Sequence, residues 1–466
     1  MNENERNNKD KKFSYKRGFS YGIGQLSDIT AYQTFTFLVF TFYFAVIGID
    51  IIMIMLAFII WALWNSFNDS LIGYLSDRTH TKWGRRIPWI MLSLGPLAIV
   101  VFLLFTPPLS IGISDTTLNF IYFMIIIIIF ELFFTMYDLN YTALFPELFI
   151  TVEERTKGNI TRQLFAIFGL IMAFVLPGLF IDDFSDPASL GQYQLFGIII
   201  TIVIIIPGLI FLKISPREKS EFQKDYEKAP GFFMAIKTCM KSKSFAWYIP
   251  AEVANWFVYG MLPAIVPLYG KYVLHIEDTL LLSLLLGFTF ISAAIFMTVL
   301  WKPMVQKIGP RKSWLMSMSI WIVVLLLLFF ISDPISGIIV FSLMGIGLSG
   351  SLYIIDIIIS DIVDEDEVNT GTRREGAYYG INMFLMHLST ILVFMVIGPV
   401  FLVSEWYKFN PVTVPILALR SLMSLFPIIA LIIAIIVIYK YPLDGEKLKR
   451  VKELRDEIHQ EKKSKI

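Results

Sequence analysis

Three polar side chains interrupt a long apolar run in the first part of the chain. The segment WALWNSFNDS at 61–70 carries Asn65, Asn68 and Asp69, whose spacing places them on one face of a helix. Oxygen atoms of a carboxylate and two amides suit a small hard cation, and the carboxylate alone suits a proton. The alternative is a polar contact that joins two membrane helices. We favour ion binding, because a carboxylate inside an apolar run needs a stronger reason than an amide.

A second set of polar side chains lies in the apolar run at 118–146. Thr135, Asp138 and Thr142 share one helix face. A carboxylate with flanking hydroxyls suits hydrogen bonding to the hydroxyls of a sugar. The alternative is a structural ion pair between Asp138 and Arg162 of the next run, and the two interpretations are compatible.

The remaining intramembrane candidates lie in the first, tenth and eleventh apolar runs of the chain. They are Gln25, Asp28 and Tyr32 in the first run, Tyr353 and Asp356 in the tenth, and His387 in the eleventh. Polar groups at such depths usually face a cavity and mark an ion or substrate path. A single histidine such as His387 fits a packing role as well as a proton or substrate role. Glu252, early in the seventh run, is expected near the cytosolic edge, where water can reach it.

The runs that hold these residues are long enough to cross a membrane. The chain has 466 residues, of which 56% are hydrophobic and 17% are charged, whereas soluble proteins have about 45–50% apolar and about 25% charged residues. We count about twelve apolar runs of spanning length, the fifth of them at 160–181. The sequence therefore predicts an all-α polytopic membrane protein.

Basic residues concentrate in the two termini and in alternate loops, which indicates that both termini face the cytosol. The longest basic connection, 214–245, divides the runs into two sets of about six. The predicted regions are an N-terminal cytosolic tail at 1–19, a six-helix bundle at 20–213, a central loop at 214–245, a second six-helix bundle at 246–440 and a cytosolic tail at 441–466. Two such halves around a site at mid-membrane are typical of the major-facilitator fold.

Charged residues at the predicted cytosolic ends form a separate group. They are Asp77, Arg78, Arg85 and Arg86 in the first half, and Asp361, Asp364, Arg373 and Arg374 in the second half. Opposite charges on the two halves can pair when the cytosolic side closes and separate when it opens, so we predict a cytosolic gate. The alternative is a basic cluster that only fixes the topology.

Several functions are excluded or disfavoured by the sequence. GIGLSG at 345–350 matches G-x-G-x-x-G, but no strand precedes it, so it predicts close helix packing or local pliability of the helix rather than a nucleotide site. No P-loop, nucleophile–base pair or cysteine-based metal cluster is present, so we expect no enzyme and no cofactor. The net charge of +1 gives no reason to expect nucleic acid as a partner.

Four segments resemble the glycoside–pentoside–hexuronide:cation symporter family of the major facilitator superfamily. They are YGIGQLSD (21–28), WNSFNDSLIGYLSDRTHTKWGRRIPW (64–89), DLNYTALFPEL (138–148) with ERT (154–156), and SDIVDEDEVNTGTRREGAYYG (360–380). The resemblance implies a cation site and a solute site. The implied cation ligands are Asn65, Asn68, Asp69 and Thr135, and the implied solute-binding residues are Asp138, Arg162, Tyr353 and His387. Asp28, Thr142 and Asp356 depart from the family pattern but are expected to line the same cavity.

The departures bear on the coupling ion. Asn65 stands where sodium-using members of the family have Asp, so one negative charge is missing. With Asp69 as a single carboxylate, the attraction for Na⁺ is weaker, whereas a proton needs one titratable group. The sequence therefore favours H⁺ over Na⁺. Thr142 stands where a sugar-stacking tryptophan is found in the family, which leaves the sugar open.

The predicted function is secondary active transport of a sugar in symport with a cation, by alternating access. We expect a monomer in the lipid bilayer of the plasma membrane, with a small-molecule solute as its partner. The alternatives are a transporter or uniporter of a non-sugar solute, such as a lysolipid or an organic anion, and a membrane sugar sensor that does not transport.

Overall fold

The computed structural model describes residues 15–79, 81–108, 116–149, 152–214, 239–371 and 374–464. In these ranges the long elements are all helices, as predicted. Their bounds are α1 Tyr15–Thr41, α2 Ile51–Asp77, α3 Ile87–Leu104, α4 Thr116–Leu148, α5 Val152–Phe174, α6 Leu190–Ile214, α7 Lys243–Tyr272, α8 Thr279–Ile308, α9 Pro310–Phe330, α10 Pro334–Thr370, α11 Glu375–Val403, α12 Ile416–Tyr439 and α13 Gly445–Ser464.

Within the described ranges, 11 helices are long and apolar enough to cross a membrane. Helix α5 takes the place of the predicted fifth span and falls outside that set. It begins before residue 160, because the polar segment VEERTKGN continues the helix into the loop. Helix α1 likewise begins inside the predicted N-terminal tail, and a π-helical turn at Phe42–Val46 follows it.

The helices group into two compact units. The first unit comprises Met1–Lys228 with Asp278–Ser283, and the second comprises Ala229–Glu277 with Leu284–Ile466. In the first unit, α1 packs against α5 and α6, and α4 packs against α2 and α3. In the second unit, α7 packs against α11 and α12, α10 packs against α9, and α13 also contacts α10. The domain boundaries given by the sequence stay predictions.

Buried tyrosines fix α1 against α4 in the first unit. The Tyr21 hydroxyl donates to the Tyr141 carbonyl at 2.9 Å, and the Tyr141 hydroxyl donates to the Tyr21 carbonyl at 2.8 Å. Their rings stack with centroids 4.5 Å apart. The Tyr137 hydroxyl adds a bond of 3.0 Å to the Gly24 carbonyl. These contacts set the register of the two helices near the carboxyl groups that both carry.

The glycine-rich segment of α10 allows the close helix packing that the sequence predicts. A Cβ atom on Gly345 would lie 1.8 Å from the Ser292 hydroxyl of α8. A Cβ atom on Gly347 would lie 2.3 Å from the Trp321 Cβ of α9. Small residues at such contacts let membrane helices approach closely. The prediction for 345–350 is therefore confirmed as a packing role.

Candidate cation and solute sites

Two of the predicted cation ligands on α2, Asn68 and Asp69, contact α4 where these helices pack. Thr135 is 3% exposed, and its hydroxyl lies 3.0 Å from Asp69 Oδ1. The Asn68 amide is fully buried and donates to the Glu131 carbonyl at 3.2 Å. Asn65 is buried one turn from Asp69 on the same helix, since four residues make about one turn. The polar face predicted from spacing is thus directed at α4 rather than at lipid.

Glu131 is a functional candidate that the sequence analysis missed. Its carboxyl is 1% exposed, and Oε1 lies 3.3 Å from the Thr135 hydroxyl. One hydroxyl therefore stands between two carboxyls, but it has one hydrogen to donate. Glu131 lies four residues before Thr135, inside the apolar segment MIIIIIFELFF. That spacing, and a carboxyl in such a segment, are the signals that could have identified it.

Several acceptors on the polar face of α2 and on Glu131 are left unpaired within the part of the chain that the structure describes. Three buried oxygen atoms have no hydrogen-bond partner among the described residues: Asn65 Oδ1, Asn68 Oδ1 and Glu131 Oε2. The Trp61 indole lies beside the Glu131 carboxyl. The N–H of Trp61 and Oε2 of Glu131 nevertheless make no hydrogen bond of normal geometry. Unpaired buried acceptors are costly, and a bound cation satisfies several of them at once.

The second carboxyl corrects one premise of the sequence analysis. Asp69 is not the single carboxyl of this pocket, because Glu131 contacts the same hydroxyl. The second carboxyl, which the family pattern has at position 65, is in this chain contributed by α4. We refer to Asn65, Asn68, Asp69, Glu131 and Thr135 as the cation pocket.

The predicted solute residues of the first unit surround a neighbouring polar region. The Gln25 amide donates to Asp28 Oδ2 at 2.8 Å, and Asp28 is 4% exposed. The exposed Thr142 hydroxyl donates to Asp138 Oδ1 at 3.2 Å. Both carboxyls interact electrostatically with Arg162. Two carboxyls, a hydroxyl and a guanidinium offer both acceptors and donors to a polar solute.

The predicted solute residues of the second unit lie on two helices. Tyr353 is half-buried and Asp356 is exposed on α10, whereas His387 is half-buried on α11. The expectation that Glu252 is solvated is wrong, because its side chain is 1% exposed. It points toward α11, where the Asn382 amide donates to Glu252 Oε1 at 2.8 Å.

The cytosolic residues predicted for the first half have partners inside the first unit. Arg86 is 5% exposed and donates to the Ser76 hydroxyl at 2.7 Å. Arg85 is also buried, at 3% exposure. Arg78 is exposed and lies 4.1 Å from the ring centre of Tyr74. The side chain of Asp77 lies outside the described part of the chain.

The acidic residues predicted for the second half contact the C-terminal helix. Lys452 of α13 lies 3.0 Å from Asp361, and Arg455 of α13 lies 2.6 Å from Asp364. Glu365 and Glu367 of α10 have similar contacts with the same helix. The α13 residues were not among the predicted gate residues.

Arg374 also has its partner in the second unit. Its Nε donates to Asp366 Oδ2 at 2.8 Å, and a second nitrogen contacts the other oxygen. The Asp366 carboxylate raises the pKa of the Arg374 guanidinium. Arg373 lies outside the described residues. Pairing of these charges with the opposite half stays a prediction.

Comparison with known proteins places this helical architecture in a family. Residues 20–445 match the family described as MFS/sugar transport protein, where MFS denotes the major facilitator superfamily. The chain belongs to that family. It is a multi-pass membrane protein and a secondary transporter of a small-molecule solute, and it is not an enzyme.

Individual relatives differ in the solute that their names give. The isoprimeverose transporter of Lactiplantibacillus pentosus is 24% identical, over 78% of this chain and 75% of its own length. The sodium-dependent lysophosphatidylcholine symporter 1 of Mus musculus is 20% identical, over 86% of this chain and 80% of its own length. The crystal structure of the nucleoside transporter NupG has a TM-score of 0.65 and 16% identity, covering 91% of this chain and 99% of NupG. This structural similarity shows the major-facilitator fold.

Proposed function

We propose that this transporter moves a sugar in symport with Na⁺, and that the cation pocket binds the ion. The observation that carries the proposal is the Thr135 hydroxyl between two carboxyls, at 3.0 Å from Asp69 and 3.3 Å from Glu131. Two carboxyls this close in a buried site repel each other when both are ionised. A cation between them removes that repulsion. Because Asp69 is on α2 and Glu131 is on α4, the affinity for the cation depends on how these two helices pack.

The unpaired acceptors support Na⁺ over H⁺ in this proposal. A proton on one carboxyl would let that carboxyl donate a single hydrogen bond, leaving most of the unpaired oxygens of Asn65, Asn68 and Glu131 unsatisfied. A metal cation with several oxygen ligands satisfies them together. The preference for H⁺ rested on one missing negative charge, and Glu131 removes that reason.

Two lines of support favour a sugar as the solute. The family description names sugar transport, and one relative is named as an isoprimeverose transporter. In this chain, Asp28 and Asp138 offer carboxylate oxygens, and Arg162 offers guanidinium hydrogens, near one another. Carboxylates accept hydrogen bonds from paired hydroxyls, which sugars present in abundance. In the second unit, Tyr353, Asp356 and His387 are the proposed solute contacts.

A lysolipid is the second candidate, because one relative is named as a lysophosphatidylcholine symporter. The two carboxyls near Arg162 would repel the phosphate of a lysolipid headgroup. They would attract a positively charged group in the same headgroup. The proposal includes alternating access by a monomer in the plasma membrane, with both termini in the cytosol.

The test is uptake by purified protein in proteoliposomes. Labelled glycosides, pentosides, hexuronides and lysophosphatidylcholine are offered with an inward Na⁺ gradient, an inward H⁺ gradient or neither. We expect Na⁺ to stimulate the uptake of a sugar, and the stimulation to disappear in Asp69→Asn and in Glu131→Gln. Stimulation by H⁺ alone would overturn the choice of ion.

The other outcomes are also decisive. Uptake that ignores both gradients would indicate a uniporter, and lysolipid uptake alone would indicate the second candidate. Binding of a sugar without counterflow would indicate a sensor. The matched control is Asp138→Asn, which should abolish sugar uptake while leaving Na⁺ binding by the purified protein measurable.

A further inference from the structure

Glu252 is a carboxyl inside a membrane-spanning helix that the proposed transport sites do not use. It lies in the second unit on α7, a candidate span, and is 1% exposed. Its Oε1 accepts a hydrogen bond of 2.8 Å from the Asn382 amide of α11. Carboxyls at such positions are costly, and they usually have a role in moving ions, protons or substrate.

Four polar atoms around Glu252 are buried without a hydrogen-bond partner among the described residues. They are the Tyr248 hydroxyl, Glu252 Oε2, Trp256 Nε1 and Asn382 Oδ1. Tyr248, Glu252 and Trp256 follow one another at intervals of four residues on α7, so they share a helix face. The Glu252 carboxyl interacts with Tyr248, with Trp256 and with Asn382.

These groups can serve both the charged and the neutral form of the carboxyl. The ionised form can accept from the Asn382 amide, the Tyr248 hydroxyl and the Trp256 indole. The protonated form can donate to the Tyr248 hydroxyl oxygen or to Asn382 Oδ1. Both arrangements use the same neighbours, because Tyr248, Trp256 and Asn382 all interact with the Glu252 carboxyl. A site that only joins two helices structurally would need a single hydrogen-bond arrangement.

We propose that Glu252 is a proton-binding site of the second unit, which loses and gains one proton while Tyr248, Trp256 and Asn382 satisfy each form. The proton binds to a carboxylate oxygen as an O–H bond forms, and it leaves to water when that bond breaks. The site is distinct from the cation pocket, and the proposal holds whichever solute is carried.

Other titratable groups act on this site from the neighbouring helices. Asp356 of α10 interacts electrostatically with Glu252 and with Tyr248. Tyr379 of α11 interacts with Tyr248. The leading partners of the Glu252 carboxyl are neutral or acidic, and none of them is basic. Such surroundings favour binding of a proton by the carboxyl.

The test is infrared difference spectroscopy of the full chain in lipid, recorded between acidic and alkaline pH without added solute. We expect a carbonyl band of a protonated carboxyl that appears on acidification, disappears in Glu252→Gln and persists in Asp69→Asn. In Asn382→Val the same band should move to higher frequency, since the carbonyl loses a hydrogen bond. A merely structural role would not produce a band that titrates.

Two results would overturn the proposal. One is a difference spectrum that is unchanged in Glu252→Gln. The other is a protonated-carboxyl band that is lost in Glu252→Gln but has the same intensity in the absolute spectra at every pH, which would show a carboxyl that never releases its proton. If Glu252→Gln does not fold, Asn382→Val alone decides, because a titrating band that does not move in this variant cannot belong to Glu252. Failure of sugar transport would leave these outcomes unaffected.

Discussion

The cation pocket of the first unit and the Glu252 site of the second unit both bury carboxyls in membrane helices, but their surroundings differ. The cation pocket has two carboxyls, one shared hydroxyl and unpaired oxygens on Asn65 and Asn68, with the Trp61 indole as a neighbouring donor. The Glu252 site has one carboxyl, and its neighbours Tyr248 and Trp256 bring donors.

This difference is the basis for proposing a different ion at each site. An excess of acceptors calls for a cation with many ligands, whereas a balance of donors and acceptors lets a carboxyl exist with or without its proton. The number of carboxyls alone does not separate the two cases. The two cases differ in how the neighbouring hydroxyl, amide and indole groups are arranged as donors and acceptors around each carboxyl.

The largest expected effect is the loss of Na⁺ affinity in Glu131→Gln. The variant keeps the shape of the side chain and removes one of two charges, a loss of about 1.5–3 kcal/mol, so the affinity should fall about tenfold to 100-fold. The measurement is a Na⁺ titration of tryptophan fluorescence, with Trp61 as the reporter beside the pocket. Glu252→Gln makes the same chemical change in the other unit and should leave the titration unchanged. Equal losses in both variants would break the comparison.

The next effect is a rescue. Adding Asn65→Asp to Glu131→Gln returns a second carboxyl to the pocket, so Na⁺ affinity should recover to within about tenfold of the original protein. The recovery is measured by the same fluorescence titration. A double variant that binds no better than Glu131→Gln would show that Asn65 does not face the ion.

A smaller effect is expected from Thr135→Val, which keeps the shape and removes the hydroxyl shared by Asp69 and Glu131. The loss of about 1 kcal/mol corresponds to about a fivefold weaker binding of Na⁺. Thr142→Val is the matched control on the same helix, because its hydroxyl contacts Asp138 instead. If Thr142→Val weakens Na⁺ binding as much as Thr135→Val, the shared hydroxyl has no special role.

The smallest effect on either site is expected from Arg455→Ala. This variant removes the α13 partner of Asp364, whose side chain is 4% exposed, and should weaken the docking of α13 by about 1–3 kcal/mol. Hydrogen exchange across Gly445–Ser464 should accelerate, while Na⁺ binding and the Glu252 band stay the same. Lys449→Ala removes an exposed pair and should leave exchange unchanged. A change in either ion site would show that α13 controls it.

Much of the fold and part of the cation pocket could be predicted from sequence. Apolar run length predicted the spans, and helical spacing placed Asn65, Asn68 and Asp69 on one face of α2, from which Asp69 contacts Thr135. GIGLSG predicted close packing that the contacts of Gly345 and Gly347 confirm. These features depend on positions within one helix, which a periodic pattern records directly.

Other features depend on which side chains of different helices meet. Glu131 and Glu252 are visible as isolated charges in apolar runs, but the sequence does not tell that one meets Thr135 and the other Asn382. The same holds for the ion pairs of α10, because the predicted tail at 441–466 gave no hint that α13 would contact Asp361 and Asp364.

The sequence by itself determined that this protein is a bundle of membrane helices with polar faces directed inward, because lipid excludes polar groups unless they are covered by protein. The tertiary structure decided how many carboxyls share a pocket and which donors surround each of them. Those are properties of atoms within about 3 Å across helix interfaces, where hydrogen bonds and ion binding operate. The proposed choice between Na⁺ at Thr135 and H⁺ at Glu252 therefore rests on packing rather than on composition.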